Sequence, residues 1–334
     1  MMEASGKLSS SLSVRKRAQK PHLMLTVSDL DKQQPTNLKT KAFPTLQPAS
    51  CLIHPRLRCI EQMAKRTVLA FHHNGKLLRH STRVLSVLPF SALEQDNQGL
   101  FKQVNNDEDH VVVTEATIFH PQGGGQPSDE GFMEDKQHNI RFQVKAVRTD
   151  VVNDGQVLHV GRFLSQPHQF NPLDKIEQVV DEEKRLLYSR LHTAGHVLGA
   201  AVRHLLENKI DGFDELKASH FPESAACEFR GAIEGKWKPE IQAKVDEYVK
   251  RAMPVEIDFW TEQDFCDQGL QRLVPDKSFL APGEDKFRVV KIVGAEVYPC
   301  GGTHVDTTDL CGETTVKKIA RSKGISRVSY TVAQ

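Results

Sequence analysis

Short segments in which apolar and polar residues alternate mark the first part of the chain that has a regular pattern. Residues 140–144 alternate strictly, as a half-buried β-strand does, and residues 67–71 form another short β-type segment. The Asn-Gly and Asp-Gly dipeptides at 74–75 and 154–155 are turn signals, and the first predicts a hairpin. Several short strands with turn signals and no long helix predict a small β-barrel of about 100 residues.

The hydrophobic period changes after residues 163–174, a stretch with two prolines that we interpret as a linker. From Leu173 to Asn208, apolar residues recur every three or four positions. This spacing predicts one long helix or two successive helices.

Helices and strands alternate in the remainder of the chain. The pattern predicts a helix at 239–253, strands at 254–259 and 287–293, and a hairpin within 314–330 about Gly324. Such a mixture of helices and antiparallel strands predicts an α+β domain.

The predicted fold class is therefore α+β, with an N-terminal β-barrel at 63–165 followed by an α+β domain at 174–334. Residues 1–62 differ from both, because they are basic, rich in Ser, Pro and Gln, and lack sustained periodicity. Three interpretations are open: a disordered tail, a transit peptide, or a start assigned too early, with translation beginning at Met63. We favour the tail or the early start over import.

Composition narrows the functional classes. The 334 residues carry a net charge of +1, so a nucleic-acid partner would need a local basic surface. No apolar run approaches about 18 residues, and no signal peptide is visible, which argues against a membrane partner. The six cysteines lack the spacing of a disulfide framework, which predicts reduced thiols and a cytoplasmic protein. Mitochondrial import through residues 1–62 is the alternative.

Two short motifs carry side chains that bind metals. His192 and His196 are four residues apart in a predicted helix, so they would share one face about 5–6 Å apart. Cys300 and His304 have the same spacing around a Gly-Gly turn, which lets both ends point inward. If the fold joins the motifs, one Cys and three His form a ligand set of the tetrahedral zinc type. The alternatives are ordinary helix histidines and a plain loop with a buried cysteine.

A glycine-rich stretch at 119–131 contains Gly123, Gly124, Gly125 and Gln126. The glycines allow the backbone to approach a ligand closely, and Gln126 can read an ester carbonyl or a hydroxyl. The stretch lacks the residues of a P-loop and the spacing of a dinucleotide fingerprint. The alternative is a wide hairpin loop.

Five cations near the C-terminus form a candidate RNA-binding surface. They lie within eleven residues: Lys317, Lys318, Arg321, Lys323 and Arg327. The alternative is an ordinary solvated face. Arg185, Arg190 and Arg203 flank the His pair and could contact phosphates, or the first two could pair with Asp181 and Glu182.

The three motifs, in this order, resemble the editing domains of alanyl-tRNA synthetases, and above all the free-standing AlaX-type alanyl-tRNA editing proteins. The resemblance covers about residues 66–334 and is similar to the medium-length form. Because no aminoacylation domain precedes the motifs, it implies a stand-alone trans-editing protein. His120 departs from the Tyr that usually precedes the Pro in this family, which leaves the role of that position open.

The resemblance implies hydrolysis of mischarged tRNA for alanine, mainly the seryl and also the glycyl ester. It implies one zinc ion per chain at His192, His196, Cys300 and His304, and an aminoacyl pocket bordered by the loop Gly123–Gln126. We expect a monomer or a weak dimer.

The role of the zinc ion is open, because four protein ligands usually make a closed, structural site. One ligand can leave, a fifth can join, or the ion can only shape the pocket while Gln126 and backbone amides bind a water. Gln126 and Thr193 are the candidate catalytic side chains, no general base is identified, and Thr117 is a further candidate for contact with a serine hydroxyl. Two other functions compete: a tRNA-binding module with a structural zinc and no turnover, and a metal-dependent hydrolase of another ester.

Overall fold

The first half of the described chain forms a closed β-barrel. A computed structural model describes residues 66–333 except 103, 154, 165–167 and 281–282, so the predictions for residues 1–62 lie outside the described residues. The α-helices and strands up to residue 180 are β1 Val68–Leu69, α1 Ala70–His73, β2 Arg79–Pro89, α2 Gln95–Gln98, β3 His110–Thr114, β4 Ala116–Thr117, β5 Gly131–Asp135, β6 Ile140–Thr149, β7 Val157–Phe163 and β8 Lys175–Val180. Antiparallel pairing closes the barrel in the order β2-β3-β7-β6-β5-β8, which confirms the predicted small barrel.

Strand alternation fills the barrel interior with apolar side chains. On β6, Ile140, Phe142 and Val144 are buried, and the residues between them face solvent, as the strict alternation predicts. The Phe142 and Phe163 rings lie 4.8 Å apart between centroids, so β6 and β7 share one aromatic core.

Strand β8 lies in a segment whose apolar spacing fits two periods. The sequence predicted a helix from Leu173, but Lys175–Val180 is a strand that pairs with both β2 and β5. Ile176 and Val180 are four residues apart, a spacing shared by one face of a helix and one face of a strand. The third inward residue is Gln178, which is polar and hides the alternation. The helix prediction is therefore wrong here, and the barrel continues beyond its predicted C-terminal boundary.

The Asn-Gly dipeptide at 74–75 does not form the predicted hairpin. Strand β1 pairs in parallel with β4, and the chain then enters α1. Asn74 follows α1, and its side-chain oxygen accepts the backbone N–H of Lys76 at 3.0 Å. The hairpin prediction is wrong because this local turn ends a helix and no second strand follows it in register.

The second half of the described chain is α+β, as predicted. Its α-helices and strands are α3 Glu182–Leu206, β9 Asp214–Ser219, β10 Ala226–Arg230, α4 Lys238–Lys250, β11 Val255–Trp260, α5 Glu262–Asp267, β12 Phe287–Ile292, β13 Glu296–Pro299, β14 Thr314–Ser322 and β15 Ile325–Val332. One antiparallel sheet has the order β14-β15-β10-β9, and a second has the order β11-β12-β13. The predicted C-terminal hairpin is confirmed: Lys323 and Gly324 both have positive φ, as a type I′ turn requires.

Helices α3 and α4 pack on the four-stranded sheet. Leu198 of α3, Val245 of α4 and Val328 of β15 are all fully buried members of one apolar cluster. The small residues Ala194 and Ala201 are also fully buried on α3, which allows neighbouring elements to approach this helix closely. This packing fixes the position of α3, the helix that carries the His pair.

The ends of α3 are matched to the helix dipole. Asp181 caps the N-terminus, and its side chain accepts a backbone N–H of the first turn at 3.0 Å. Glu182 and Glu183 lie in the first turn, and Arg203 and His204 lie in the last.

Within the described ranges, none of the helices combines the length and apolar composition that a bilayer crossing requires.

A buried ion pair joins α3 to the barrel. Arg185 Nε donates to the two carboxylate oxygens of Asp129 at 3.0 and 3.1 Å, and its Nη1 donates to the carbonyl oxygen of Gly75 at 2.7 Å. Arg185 is 3% exposed and Asp129 is fully buried. Arg185 therefore neither faces a phosphate nor pairs with the acidic residues of its own helix, and both predictions for it are wrong.

Candidate metal centre

His192 and His196 lie on one face of α3, as their spacing predicts. Their ring centroids are 4.9 Å apart. His192 is only 1% exposed, so its ring nitrogens cannot rely on bulk water for hydrogen bonds. A buried polar ring is destabilising unless it is hydrogen-bonded or binds an ion.

The loop Cys300–His304 follows β13 and packs against α3. A Cβ atom on Gly302 would overlap the His192 ring and lie 2.6 Å from Gln126 Oε1. The backbone N–H of Gly302 also donates to Cys300 Sγ at 3.4 Å. Glycine at this position therefore allows the loop to approach the helix.

The structure brings the two motifs together. The ligand atoms of His192, His196, Cys300 and His304 all lie within 4.8 Å of one another. Cys300 Sγ is 3.4 Å from His192 Nε2 and 3.3 Å from His304 Nε2. Tetrahedral zinc with bonds of about 2.0–2.3 Å has ligand atoms about 3.3–3.7 Å apart, so the two separations from Cys300 Sγ fit zinc. One thiolate and three imidazoles also form a donor set that suits zinc.

Hydrogen bonds determine which nitrogen of His192 carries the proton. Gln126 Oε1 accepts the backbone N–H of Thr303 at 3.0 Å and lies 2.7 Å from His192 Nδ1. Because a carbonyl oxygen only accepts, Nδ1 carries the proton, and Nε2 presents its lone pair toward Cys300. Gln126 Nε2 and the Ser189 hydroxyl both donate to Thr303 Oγ1, at 2.9 and 2.8 Å. The network orients His192 as the outer partners of metal-binding histidines do.

The two candidate catalytic side chains lie next to the cluster. Gln126 and Thr193 are both fully buried. Thr193 Oγ1 is 3.1 Å from His304 Nδ1 and accepts the backbone N–H of Val305 at 3.2 Å. Neither side chain is open to a substrate in this structure, and each contacts a candidate ligand. Thr117 is also fully buried, with its Oγ1 2.8 Å from His159 Nε2.

Burial keeps the three imidazoles of the cluster neutral. It lowers the pKa of His192, His196 and His304 well below the ordinary value, and neighbouring histidines, with Arg288 for the last two, lower it further. The neutral form is the one that binds a metal. Burial raises the pKa of the Cys300 thiol, and the Arg288 guanidinium opposes this shift, as a bound cation would.

His196 supplies a further indication that an ion fits. Its Nδ1 is buried and has no hydrogen-bond partner within the part of the chain that the structure describes. A nitrogen in that state is destabilising in an apolar interior, and a bound cation offers a partner that the protein does not.

His220 is a component of the centre that the sequence did not indicate. Its ring stacks on His192, with centroids 4.2 Å apart and an interplanar angle of 25°. It is 1% exposed, and burial lowers its pKa to about 4. His220 lies just after β9 and has no regular spacing to either metal motif, so only the tertiary structure reveals it.

The glycine-rich loop reaches the centre as a tight turn. Gly123 and Gln126 exchange two backbone hydrogen bonds, at 3.3 and 2.9 Å. Between them, Gly124 and Gly125 have φ values of +54° and +80°, which favour glycine. Gly123 and Gly124 are exposed, so their backbone is open to a ligand. The wide loop considered as an alternative is not what the chain forms.

His120, which departs from the resembled motif, packs at the base of this loop. Its backbone N–H donates to Asp129 Oδ2 at 2.6 Å, and its Nδ1 lies 3.2 Å from the carbonyl oxygen of Pro127. The ring contacts Phe71 edge to face, and burial lowers the pKa of His120 to about 4. His120 is not one of the four clustered ligands.

The candidate RNA-binding residues lie on the β14–β15 hairpin. Arg327 is half-buried and pairs with Glu228 at 3.3 Å. The other four are exposed, and among the described residues none of them forms an ion pair: Lys317, Lys318, Arg321 and Lys323. These four cations are available to an outside partner, and their contact with RNA stays a prediction.

The other two arginines near the His pair already have partners. Arg190 donates to the carbonyl oxygen of Cys311 at 3.1 and 3.2 Å. Arg203 is buried and forms ion pairs with Glu207 at 2.6 Å and Glu296 at 3.1 Å. These contacts argue against the predicted phosphate contacts.

Known proteins match the regions that build this centre. The family described as "Threonyl and Alanyl tRNA synthetase second additional domain" matches residues 287–329, from β12 into β15. The alanyl-tRNA editing protein AlaX-L of Pyrococcus horikoshii is 27% identical over 230 residues, which cover 68% of this chain and 53% of that protein. AlaX-M of Saccharolobus solfataricus is 28% identical over 232 residues, covering 67% of this chain and 90% of that protein.

A whole ligase also contains a similar region. The alanine–tRNA ligase of Methanobrevibacter smithii is 28% identical over 239 residues, covering 68% of this chain and 24% of the ligase. The chain thus spans about half the length of AlaX-L and about a quarter of the ligase. The matched family segment contains Cys300 and His304, which the fold places beside the His pair of α3. Over about two thirds of its length, the chain is therefore similar in sequence to AlaX-type alanyl-tRNA editing proteins.

Proposed function

We propose that this chain is a trans-editing hydrolase that removes a wrongly attached amino acid from tRNA for alanine. The observation that carries the proposal is the cluster of one cysteine and three histidines beside an exposed glycine turn, in a chain that is similar in sequence to AlaX-type editing proteins. The proposed substrates are the seryl ester and, second, the glycyl ester. The proposed place of action is the cytoplasm.

We propose that one zinc ion per chain is held by His192, His196, Cys300 and His304. Zinc bound there would supply a Lewis acid for the ester carbonyl or for a water molecule. The protein's own part is to hold neutral imidazoles in fixed orientation. Gln126 does so for His192 through its hydrogen bond at 2.7 Å.

The exposed backbone of Gly123 and Gly124 is the proposed contact for the aminoacyl end. A pocket cannot reject alanine by size, because alanine is smaller than serine. It can select serine by hydrogen-bonding the hydroxyl, since alanine would then leave a buried polar group unpaired. The cations Lys317, Lys318 and Arg321 are the proposed contacts for tRNA phosphates.

Deacylation by the full-length protein tests the proposal. Purified protein should release serine from seryl-tRNA for alanine and leave the alanyl ester largely intact, with the glycyl ester assayed in parallel. Cys300→Ala and His192→Ala should lose both the activity and the bound zinc. Cys266→Ala is the matched control, because Cys266 is an exposed free cysteine outside the cluster.

The competing function is a tRNA-binding module with a structural zinc. Tight binding of mischarged tRNA with no release of serine, in protein that contains one zinc per chain, would establish that alternative. Full zinc content in the double variant of His192 and Cys300 would contradict the ligand assignment. Hydrolysis of simple esters but not of the tRNA ester would indicate a hydrolase of another class.

A further inference from the structure

His220 contacts three parts of the candidate metal centre at once. Its ring stacks on His192 of α3, with centroids 4.2 Å apart. Its backbone N–H donates to the carbonyl oxygen of Gly125, in the glycine turn, at 2.8 Å. Its Nδ1 lies 2.7 Å from Tyr330 Oη on β15. One buried residue therefore joins the helix and the hairpin through its side chain and the turn through its backbone.

The orientation of the His220 ring is set by a directed hydrogen bond. The Tyr330 hydroxyl donates to the carbonyl oxygen of Leu191 at 2.9 Å. Because the hydroxyl has one proton and uses it there, the bond between Tyr330 and His220 must be donated by Nδ1–H of His220. Leu191 directly precedes His192. The hydrogen bonds therefore connect the His220 ring, through Tyr330, to the backbone next to His192, on which the ring stacks.

Two glycines leave the space that this ring occupies. A Cβ atom on Gly195 would overlap the His220 ring and lie 2.7 Å from Tyr330 Oη. A Cβ atom on Gly125 would lie 3.2 Å from His220 Cδ2 and would overlap the carbonyl oxygen of Ala218. Helix and turn can therefore approach His220 only where side chains are absent.

We propose that His220 is a positioning residue of the metal centre. Gln126 holds the edge of the His192 ring through one hydrogen bond, which leaves the tilt of the ring free. The stacked His220 ring restrains that tilt, so that His192 Nε2 faces Cys300. The inference rests on the proposed metal site, and its test separates the two.

The test compares zinc affinity and the visible spectrum of the cobalt-substituted protein. His220→Ala should weaken zinc binding about 10–100-fold, as loss of outer partners of metal ligands does. Tyr330→Phe removes one oxygen and keeps both rings, so it should weaken zinc binding by a smaller factor, about threefold. Both variants should shift the cobalt absorption bands, because these bands report ligand geometry.

His159→Ala is the matched control. His159 is also fully buried, with two polar contacts at 2.8 and 2.9 Å, but it lies in the barrel. It should lower the melting temperature and leave zinc affinity and the cobalt spectrum unchanged. Equal loss of zinc affinity in this variant would overturn the inference, because general destabilisation would then explain the effect.

The remaining outcomes are also decisive. Unchanged zinc affinity and cobalt bands in both site variants, with a wild-type protein that binds zinc, would overturn the inference and leave the proposed metal site intact. A wild-type protein that binds neither metal would overturn both. If His220→Ala does not fold, Tyr330→Phe decides the question by itself.

Discussion

Gly301 and Gly302 are adjacent in the chain but differ in the space around them. A Cβ atom on Gly301 would have His72 Nε2 at 3.5 Å as its nearest neighbour, an ordinary contact. A Cβ atom on Gly302 would overlap His192 and crowd Gln126 Oε1. The sequence shows two equivalent glycines, and only the packing against α3 distinguishes them.

We therefore predict that Gly302→Ala disrupts the metal centre and that Gly301→Ala does not. The added methyl at 302 must displace the His192 ring, so zinc affinity should fall by about tenfold or more. Gly301→Ala should keep zinc binding. Its free energy of unfolding should change by only about a few tenths of a kcal/mol. Chelator competition and thermal unfolding measure both effects. Equal zinc affinity in the two variants would contradict this account of the loop.

The β14–β15 hairpin shows how one element combines a structural and a proposed binding role. Tyr330 and Val328 on β15 face the core, while β14 lies at the edge of the sheet. The register shifts between Val316 and Lys318, so both Lys317 and Lys318 are exposed on this edge strand. Lysines on an edge strand prevent pairing with another sheet, which is a sufficient structural reason for them. The proposed tRNA binding must therefore be tested by neutralising these cations.

Neutralising three cations of the hairpin should weaken tRNA binding and its salt dependence. Each lost phosphate contact should reduce the slope of log affinity against log salt by about 0.7–0.9. The triple variant of Lys317, Lys318 and Arg321 to Gln should therefore reduce the magnitude of this slope by about 2.1–2.7. The charge-matched control replaces three lysines on or beside α4, and it should leave the slope unchanged: Lys236, Lys238 and Lys250. Equal slopes in the two variants would indicate that the hairpin cations form an ordinary solvated face and do not contact phosphates.

At the scale of the whole molecule, neutral histidines are buried in both halves. His159 lies in the barrel, and burial lowers its pKa from 6.5 to about 4. His220 has the same shift in the α+β half. The unfolded chain restores the ordinary pKa, so near pH 5 the unfolded state binds protons that the folded state does not. The free energy of unfolding must then fall as the pH decreases from about 6.5 to about 4.

We predict that replacing His159 makes this acid dependence shallower. For each such group the loss is at most about 1.4 kcal/mol per pH unit. His159→Gln should lower stability at neutral pH, because Gln fits the buried site less well, but should reduce the slope by about one proton. Urea unfolding of the metal-free protein between about pH 7 and pH 5 measures it. A slope in His159→Gln equal to that of the wild type would contradict the prediction.

Local pattern predicted much of the fold and failed where two patterns coincide. The alternation at 140–144 and the C-terminal hairpin are as predicted, because each depends on neighbours within a few residues. Strand β8 was missed, because Ile176 and Val180 satisfy both periods and its buried Gln178 is bonded to distant backbone. Burial of Arg185 was also missed, since its partner Asp129 lies far away in the sequence.

By itself, the sequence determined the types and the pairing of the candidate ligands: His192 with His196 and Cys300 with His304. Spacing of four residues is a local property, and both the helix and the glycine turn follow from local chemistry. Only the tertiary structure decided that the two pairs meet within 4.8 Å. It also decided that Gln126 hydrogen-bonds His192 and that His220 stacks on the His192 ring. These contacts join residues far apart in the chain, so they depend on how the barrel, α3 and the sheet pack.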